Sequence, residues 1–249
     1  MTYDLRLRAI GERMARAAER SGRAPDAVTL VVVTKTISVD RIRAAIEAGA
    51  VHLGENRVQE AAGKFEEISV EGTNVGAGAD KVSRAGITLH MIGGLQRNKA
   101  RRTVGLFDWI QSVDRPELLD ALESAKADEI NAPPWPLLLP VLLEVNVTGE
   151  KTKSGITPAE LPRLADALTA CQHLRGVGLM AIARLGAGEK ELRSTFANLR
   201  QLLDTLKETH PHAGDWKHLS MGMSDDYEYA IEEGATIVRL GRAIFGARA

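Results

Sequence analysis

The 249-residue sequence predicts one α/β domain closed into a (β/α)8 barrel, and three observations lead there. Eight short apolar runs of strand length alternate with longer stretches whose apolar residues recur at helical spacing. No Gly-x-Gly-x-x-Gly follows the first run, which favours a closed TIM-type barrel over an open doubly wound sheet. A faint internal echo supports repeated units: Ala45 to Ala50 (AIEAGA) leads into His52-Leu53-Gly54, and Ala230 to Ala235 (AIEEGA) leads into Arg239-Leu240-Gly241. No break in composition divides the chain, so residues 1–249 are expected to form a single domain, although Asn131 to Pro136 would pass for a linker in isolation.

Taken in order, Leu5, Ile10, Met14 and Ala17 predict an opening amphipathic helix ending before Gly22 and Pro25. A strand is expected at Val28 to Thr34, a helix at Val39 to Ala48, a strand at Val51 to Gly54 and a helix at Val58 to Ile68. Residues 69–86 are rich in Gly, Ser and Asp without periodicity, which predicts a mobile surface loop. Further strands are expected at Thr88 to Ile92, Trp109 to Val113, Leu138 to Val147, Gly176 to Ile182, His218 to Ser220 and Ile237 to Leu240. Pro116 to Ala127, Ala159 to Cys171 and Glu189 to Glu208 read as helices between them, and another helix is expected to begin near Asp225.

Composition narrows the function. With 32 basic and 33 acidic residues the formal charge is −1, so the overall field gives no reason to expect nucleic acid or an anionic membrane as partner. The single cysteine, Cys171, excludes an internal disulfide and suits a reducing compartment. The N-terminal segment mixes Arg6, Arg8, Arg13 and Arg16 with Asp4, Glu12 and Glu19, unlike an export signal, and no apolar run approaches the ~20 residues that cross a bilayer. A cytoplasmic protein is expected. The six histidines show no HExxH spacing, which argues against a catalytic metal site of that kind, and no Gly-x-Ser-x-Gly elbow argues for acyl transfer.

Lys35 falls at the carboxyl end of the first strand, where barrel active sites lie. A partly desolvated amine there has its charged form disfavoured, which frees the lone pair to attack an aldehyde carbon; a lone lysine ending a strand is more often simply solvated. Ser220-Met221-Gly222-Met223-Ser224-Asp225-Asp226 joins a short strand to a helix. Its small residues let backbone N–H groups and a hydroxyl approach a phosphate, with an ordinary N-cap by Ser224 as the plainer alternative. Arg239-Leu240-Gly241-Arg242 supplies a second glycine turn in the loop position that binds phosphate in many barrels. Gly54-Glu55-Asn56-Arg57 ends the second strand with groups able to hydrogen-bond a bound ring, or with a helix cap by Asn56. His90 to Lys99 reads as a polar turn, Lys99 to Arg102 as a wet basic helix face, and Glu144 and Asn146 share a strand face that would either line the barrel or meet Lys and Arg neighbours.

Together these segments resemble the pyridoxal phosphate homeostasis proteins, the YggS or PROSC family. The resemblance is carried by Val32 to Thr36, Leu53 to Glu60, Met91-Ile92-Gly93, Leu95 to Lys99, Lys153-Ser154-Gly155, Leu179 to Ile182, Leu219 to Asp226, Arg239-Leu240-Gly241 and Ala243 to Arg248, and it covers nearly the whole chain in order. It implies a barrel similar to the N-terminal domain of alanine racemase and other fold-type III enzymes of pyridoxal 5′-phosphate (PLP). It further implies that Lys35 carries the cofactor as a Schiff base, that Ser224 with the backbone around Gly241 and Arg242 holds the phosphate, and that Arg239 faces the pyridine nitrogen. Asn56 would lie close to the cofactor and Met223 beside the phosphate loop. Arg242 stands where the family usually has Thr or Ser, and Gly94 where it often has His or Pro.

An arginine at the pyridine nitrogen opposes its protonation and weakens the ring as an electron sink. Racemisation would need a second acid/base, which racemases draw from a second domain. The expectation is therefore a monomeric PLP-binding protein of cofactor homeostasis, with no residue assigned a catalytic role, that buffers or delivers PLP to PLP-dependent apo-enzymes and so affects amino-acid and keto-acid balance. The alternatives are a weak amino-acid racemase or related fold-type III enzyme and, last, a cofactor-free Schiff-base aldolase of sugar phosphates.

Overall fold

A computed structural model describes residues 2–70, 86–129, 138–150 and 152–246. Eight parallel strands close on themselves in chain order: β1 (Thr29–Val33), β2 (His52–Glu55), β3 (Thr88–Met91), β4 (Trp109–Val113), β5 (Leu139–Glu144), β6 (Leu174–Met180), β7 (His218–Ser220) and β8 (Ile237–Leu240). Closure is made by β1, which pairs with β2 through Val32↔Leu53 and with β8 through Val31↔Arg239. The strands are buried on both faces, as expected when helices cover one side and the barrel interior fills the other.

The helices are α1 (Tyr3–Arg20), α2 (Val39–Glu47), α3 (Val58–Val70), α4 (Ala100–Leu106), α5 (Pro116–Glu129), α6 (Leu161–Thr169), α7 (Glu189–Thr209), α8 (Tyr227–Glu232) and α9 (Arg242–Phe245). Their apolar stripes make the main core against the outside of the barrel; α7, for example, turns Leu192, Phe196, Leu199, Leu203 and Leu206 inward at helical spacing. A smaller cluster of Leu142, Val177 and Met180, with Trp109 packed on it, fills part of the lumen. In β6 only glycine fits at position 178, because a Cβ there would lie 1.9 Å from the His218 carbonyl oxygen of β7.

The barrel expected from the sequence is present, and the differences are local. Leu5 is exposed, so the buried stripe of α1 is Ile10, Met14, Ala17 and Ala18. Helix α3 runs on through Ser69 and Val70, where the loop was expected to begin; residues 71–85 and the linker-like stretch 131–136 lie outside the described residues. β5 stops at Glu144, since a returning segment takes over its hydrogen bonds: the Ile156 amide donates to the Glu144 carbonyl and the Asn146 amide to that of Ile156. β6 lies two residues earlier than expected. α8 begins at Tyr227 because the Asp226 carboxylate accepts the Met223 amide at 2.5 Å and closes a turn first. The helix face expected at Lys99 to Arg102 belongs to α4, which runs on to Leu106, and the sequence does not announce the short α9. Among the described residues no helix is long and apolar enough to cross a membrane.

Candidate functional site

The carboxyl ends of the strands form the barrel mouth, and Lys35 stands there on a turn two residues past β1, half-buried. The turn is braced. Lys64 of α3 donates to the Thr34 carbonyl at 2.8 Å, to Glu55 Oε1 at 3.0 Å and to Glu60 Oε1 at 2.5 Å. Glu60 also accepts the Thr36 amide at 2.5 Å, and the Thr34 hydroxyl donates to Glu55 at 2.8 Å. The peptides on either side of Lys35 are thus held by one i,i+4 ion pair, and Thr36 takes a left-handed φ of 62° that non-glycine residues rarely adopt.

Glu55 and Asn56 end β2 beside this turn. Burial pushes the Glu55 carboxyl upward against the opposing charge of Lys64. Glu55 Oε2 and Asn56 Oδ1 are both buried and have no hydrogen-bond partner among the described residues. Such atoms mark a place where the protein alone is incomplete.

On the other side of β1, the loop after β7 meets the end of β8. Gly222 has a φ of 95°, and its carbonyl accepts the Arg239 amide at 3.0 Å. The Ser224 hydroxyl accepts the Ala243 amide of α9 at 3.2 Å, so Ser224, Gly241 and Arg242 share one corner. Met223 is half-buried in the same loop. Gly241 lies against Val33, the last residue of β1, which brings this corner next to the Lys35 turn. The Arg242 guanidinium pairs with Asp225 on the exposed surface, so its side chain is engaged outward and its backbone remains in the corner.

Arg239 is buried inside the mouth, donating to the Ser220 hydroxyl at 2.5 Å and to the Ala181 carbonyl at 2.9 Å. Burial pulls its pKa down to about 10, with Glu144 and Asp226 holding it up. Glu144, 4% exposed, is pushed up to about 7 by burial and by Asp114, with Arg239 opposing. Asp226 is likewise raised, chiefly by burial.

The structure therefore brings together Lys35, Asn56, Met223, Ser224, Arg239 and the backbone of Gly241 and Arg242. It does not place Asn146 in the barrel: that side chain organises its own loop, donating to the Glu150 carbonyl at 2.9 Å and accepting the Gly149 amide at 3.0 Å. Arg97, Arg101 and Arg102 are exposed. Among the described residues no three His, Cys, Asp or Glu side chains are grouped to hold a metal. The parts that Lys64, Glu60 and Gln111 play here are not evident from the sequence. An i,i+4 Glu/Lys pair following the Gly54-Glu55-Asn56 segment, and a polar residue inside a buried strand, were the available signals.

A barrel of this kind, with a lysine after β1 and glycine turns after β7 and β8, is the alanine racemase N-terminal type, and the family model described as "Alanine racemase, N-terminal domain" matches residues 5–249. Within that class the chain belongs to the pyridoxal phosphate homeostasis protein family. It is 40% identical to the Escherichia coli K12 member over 245 residues, covering 96% of this chain and 94% of that protein. It is 37% identical to the Aquifex aeolicus member, covering 98% and 97%. Among solved structures, PipY of Synechococcus elongatus with PLP bound superposes with a TM-score of 0.76 at 35% identity, over 95% of this chain and 100% of that one. Alanine racemase of Corynebacterium glutamicum, at 15% identity and a TM-score of 0.61 over 97% of this chain and 62% of that one, shares the fold.

Proposed function

We propose that this protein binds PLP at the barrel mouth as a Schiff base on Lys35 and serves cofactor homeostasis by buffering PLP or delivering it to PLP-dependent apo-enzymes. The observation that carries this reading is the braced Lys35 turn next to the Ser224/Gly241 corner, so that a lysine past the end of β1 and a loop of small residues stand on adjoining elements of the barrel mouth. The unpartnered buried oxygens of Asn56 and Glu55 fit a ligand with polar ring substituents. The relatives' names and the PLP-bound PipY structure support the same cofactor.

When bound, PLP supplies an aldehyde carbon with which an amine condenses reversibly, releasing water. Lys35 provides that amine. The Ser224 hydroxyl and the Gly241 and Arg242 amides hold the phosphate, with Met223 alongside and Asn56 near the ring. Arg239 keeps a positive charge toward the pyridine nitrogen and opposes its protonation, which favours holding the cofactor over carbanion chemistry. The tyrosine rings sit in the helical layer: the Tyr3 hydroxyl accepts from Arg41 at 2.9 Å, Tyr229 lies under Arg193, and Tyr227 lies under Arg13 with a buried hydroxyl that has no hydrogen-bond partner among the described residues. A monomer in the cytoplasm completes the proposal.

The test is visible absorbance of the purified protein titrated with PLP, beside Lys35→Ala. A saturable imine band in the first and none in the second supports the reading, and equal bands in both overturn it. Incubating the loaded protein with L-alanine in deuterium oxide addresses catalysis; sustained α-deuteration would move the protein to the racemase class.

A further inference from the structure

Arg239 is the first member of a hydrogen-bonded chain that descends through the lumen. Its Nη1 donates to Ser220 Oγ at 2.5 Å, and Ser220 Oγ donates to Gln111 Oε1 at 2.6 Å. Gln111 Nε2 meets His90 Nδ1 at 2.9 Å, and His90 Nε2 meets His52 Nδ1 at 3.0 Å. The residues come from β8, β7, β4, β3 and β2, and His52 is the first residue of its strand, at the end of the barrel away from the mouth. Ser220 and Gln111 are fully buried and His90 nearly so, while His52 is half-buried.

The direction of this chain follows from its charged end. A guanidinium has donors only, so Ser220 must accept from Arg239. The buried Ser220 hydrogen then needs an acceptor, which Gln111 Oε1 supplies. That orientation turns the Gln111 amide N–H toward His90 Nδ1. His90 must therefore carry its hydrogen on Nε2 and donate to His52 Nδ1, which leaves the His52 hydrogen on Nε2. Flipping Gln111 would put its NH₂ group against Ser220 and take away the acceptor that now receives the Ser220 hydrogen. Burial, with His52 and His218 adding to it, holds His90 near a pKa of about 3, so the ring is neutral at physiological pH. Trp109 packs 5.6 Å from His90 and 5.2 Å from His218, walling the lower chain with aromatic surface.

We propose that Gln111 and His90 are positioning residues for Arg239: they commit the Ser220 hydrogen downward, so that Ser220 presents only an acceptor to the guanidinium and Arg239 is fixed with its remaining N–H groups toward the mouth. The functional half of this inference rests on the reading of Arg239 as the group facing the PLP ring nitrogen; the chain itself does not. Cutting the chain at Gln111 releases the Ser220 hydroxyl to rotate, and the guanidinium then keeps only the Ala181 carbonyl as a fixed acceptor.

Two measurements separate these parts. Long-range ¹H–¹⁵N correlation spectra of histidine-labelled protein without PLP, at pH 7.5, are expected to show His90 and His52 as Nε2–H tautomers. Gln111→Glu, which offers an acceptor to both neighbours, is expected to move the His90 hydrogen to Nδ1. An Nδ1–H His90 in the unsubstituted protein overturns the chain whatever PLP does. PLP titrations then follow in Gln111→Leu and in Ser220→Ala, which cuts the next link should the first variant fail to fold. The imine is expected to form still on Lys35, with its absorbance maximum and its titration midpoint displaced in the same sense by both variants. A spectrum and midpoint matching those of the unsubstituted protein would refute the positioning role. Absence of any imine in the unsubstituted protein would refute the PLP reading alone, leaving the tautomer result standing.

Discussion

Glu144 offers a quantitative test of the electrostatics at the mouth. The folded carboxyl keeps its proton up to about pH 7, against an ordinary value of 4.5, because burial and Asp114 disfavour the anion more than Arg239 supports it. A group whose folded pKa is raised contributes stability that is whole below its unfolded pKa and is lost as pH rises through the folded one. At about 1.4 kcal/mol per pH unit, the interval from 4.5 to about 7 corresponds to roughly 3 kcal/mol lost on the way to pH 8. Glu144→Gln keeps the shape and removes the titration. Urea unfolding of both proteins without PLP at pH 5, 6, 7 and 8 should show the free-energy gap moving in favour of Glu144→Gln by up to about 3 kcal/mol, with unchanged denaturant slopes. The raised carboxyls of Glu55 and Asp226 are common to both proteins and cancel in the difference. A gap that does not vary with pH would refute the reasoning.

Three further outcomes follow from the geometry. Gly178→Ala drives a methyl group into the His218 carbonyl and should cost at least about 3 kcal/mol in denaturant unfolding. Lys64→Met leaves the buried Glu55 carboxylate without its cation, which should destabilise the fold by about 3–5 kcal/mol at pH 8 and broaden the amide resonances of Thr34 and Thr36. Arg242→Ala removes an exposed ion pair, so stability should change by less than about 1 kcal/mol and PLP affinity by no more than about twofold.

Much of this architecture is legible in the residues. Trp109 to Val113, His218 to Ser220 and Ile237 to Leu240 have the bounds their apolar runs predict, since short apolar runs between helical stretches have few other ways to be buried. β5 is shorter than its apolar run predicts, because periodicity alone does not reveal that Ile156 returns to cap the strand at Glu144. The grouping of Lys35, Ser224 and Gly241 could be anticipated from strand ends and glycine turns, which barrel topology gathers on one face. The brace from Lys64 and Glu60 was hidden: it joins helix α3 to the turn after β1 across ~30 residues of sequence, and only the closed barrel brings those segments together. The lumen chain was hidden for the same reason, each member standing on a different strand.

In the proposed function a single lysine, Lys35, holds the cofactor. Borohydride reduction of the PLP-loaded protein followed by peptide mapping addresses it most directly. One pyridoxyl group per chain is expected, on Lys35; label spread over surface lysines such as Lys190, Lys207 and Lys217, or no label at all, would overturn that assignment.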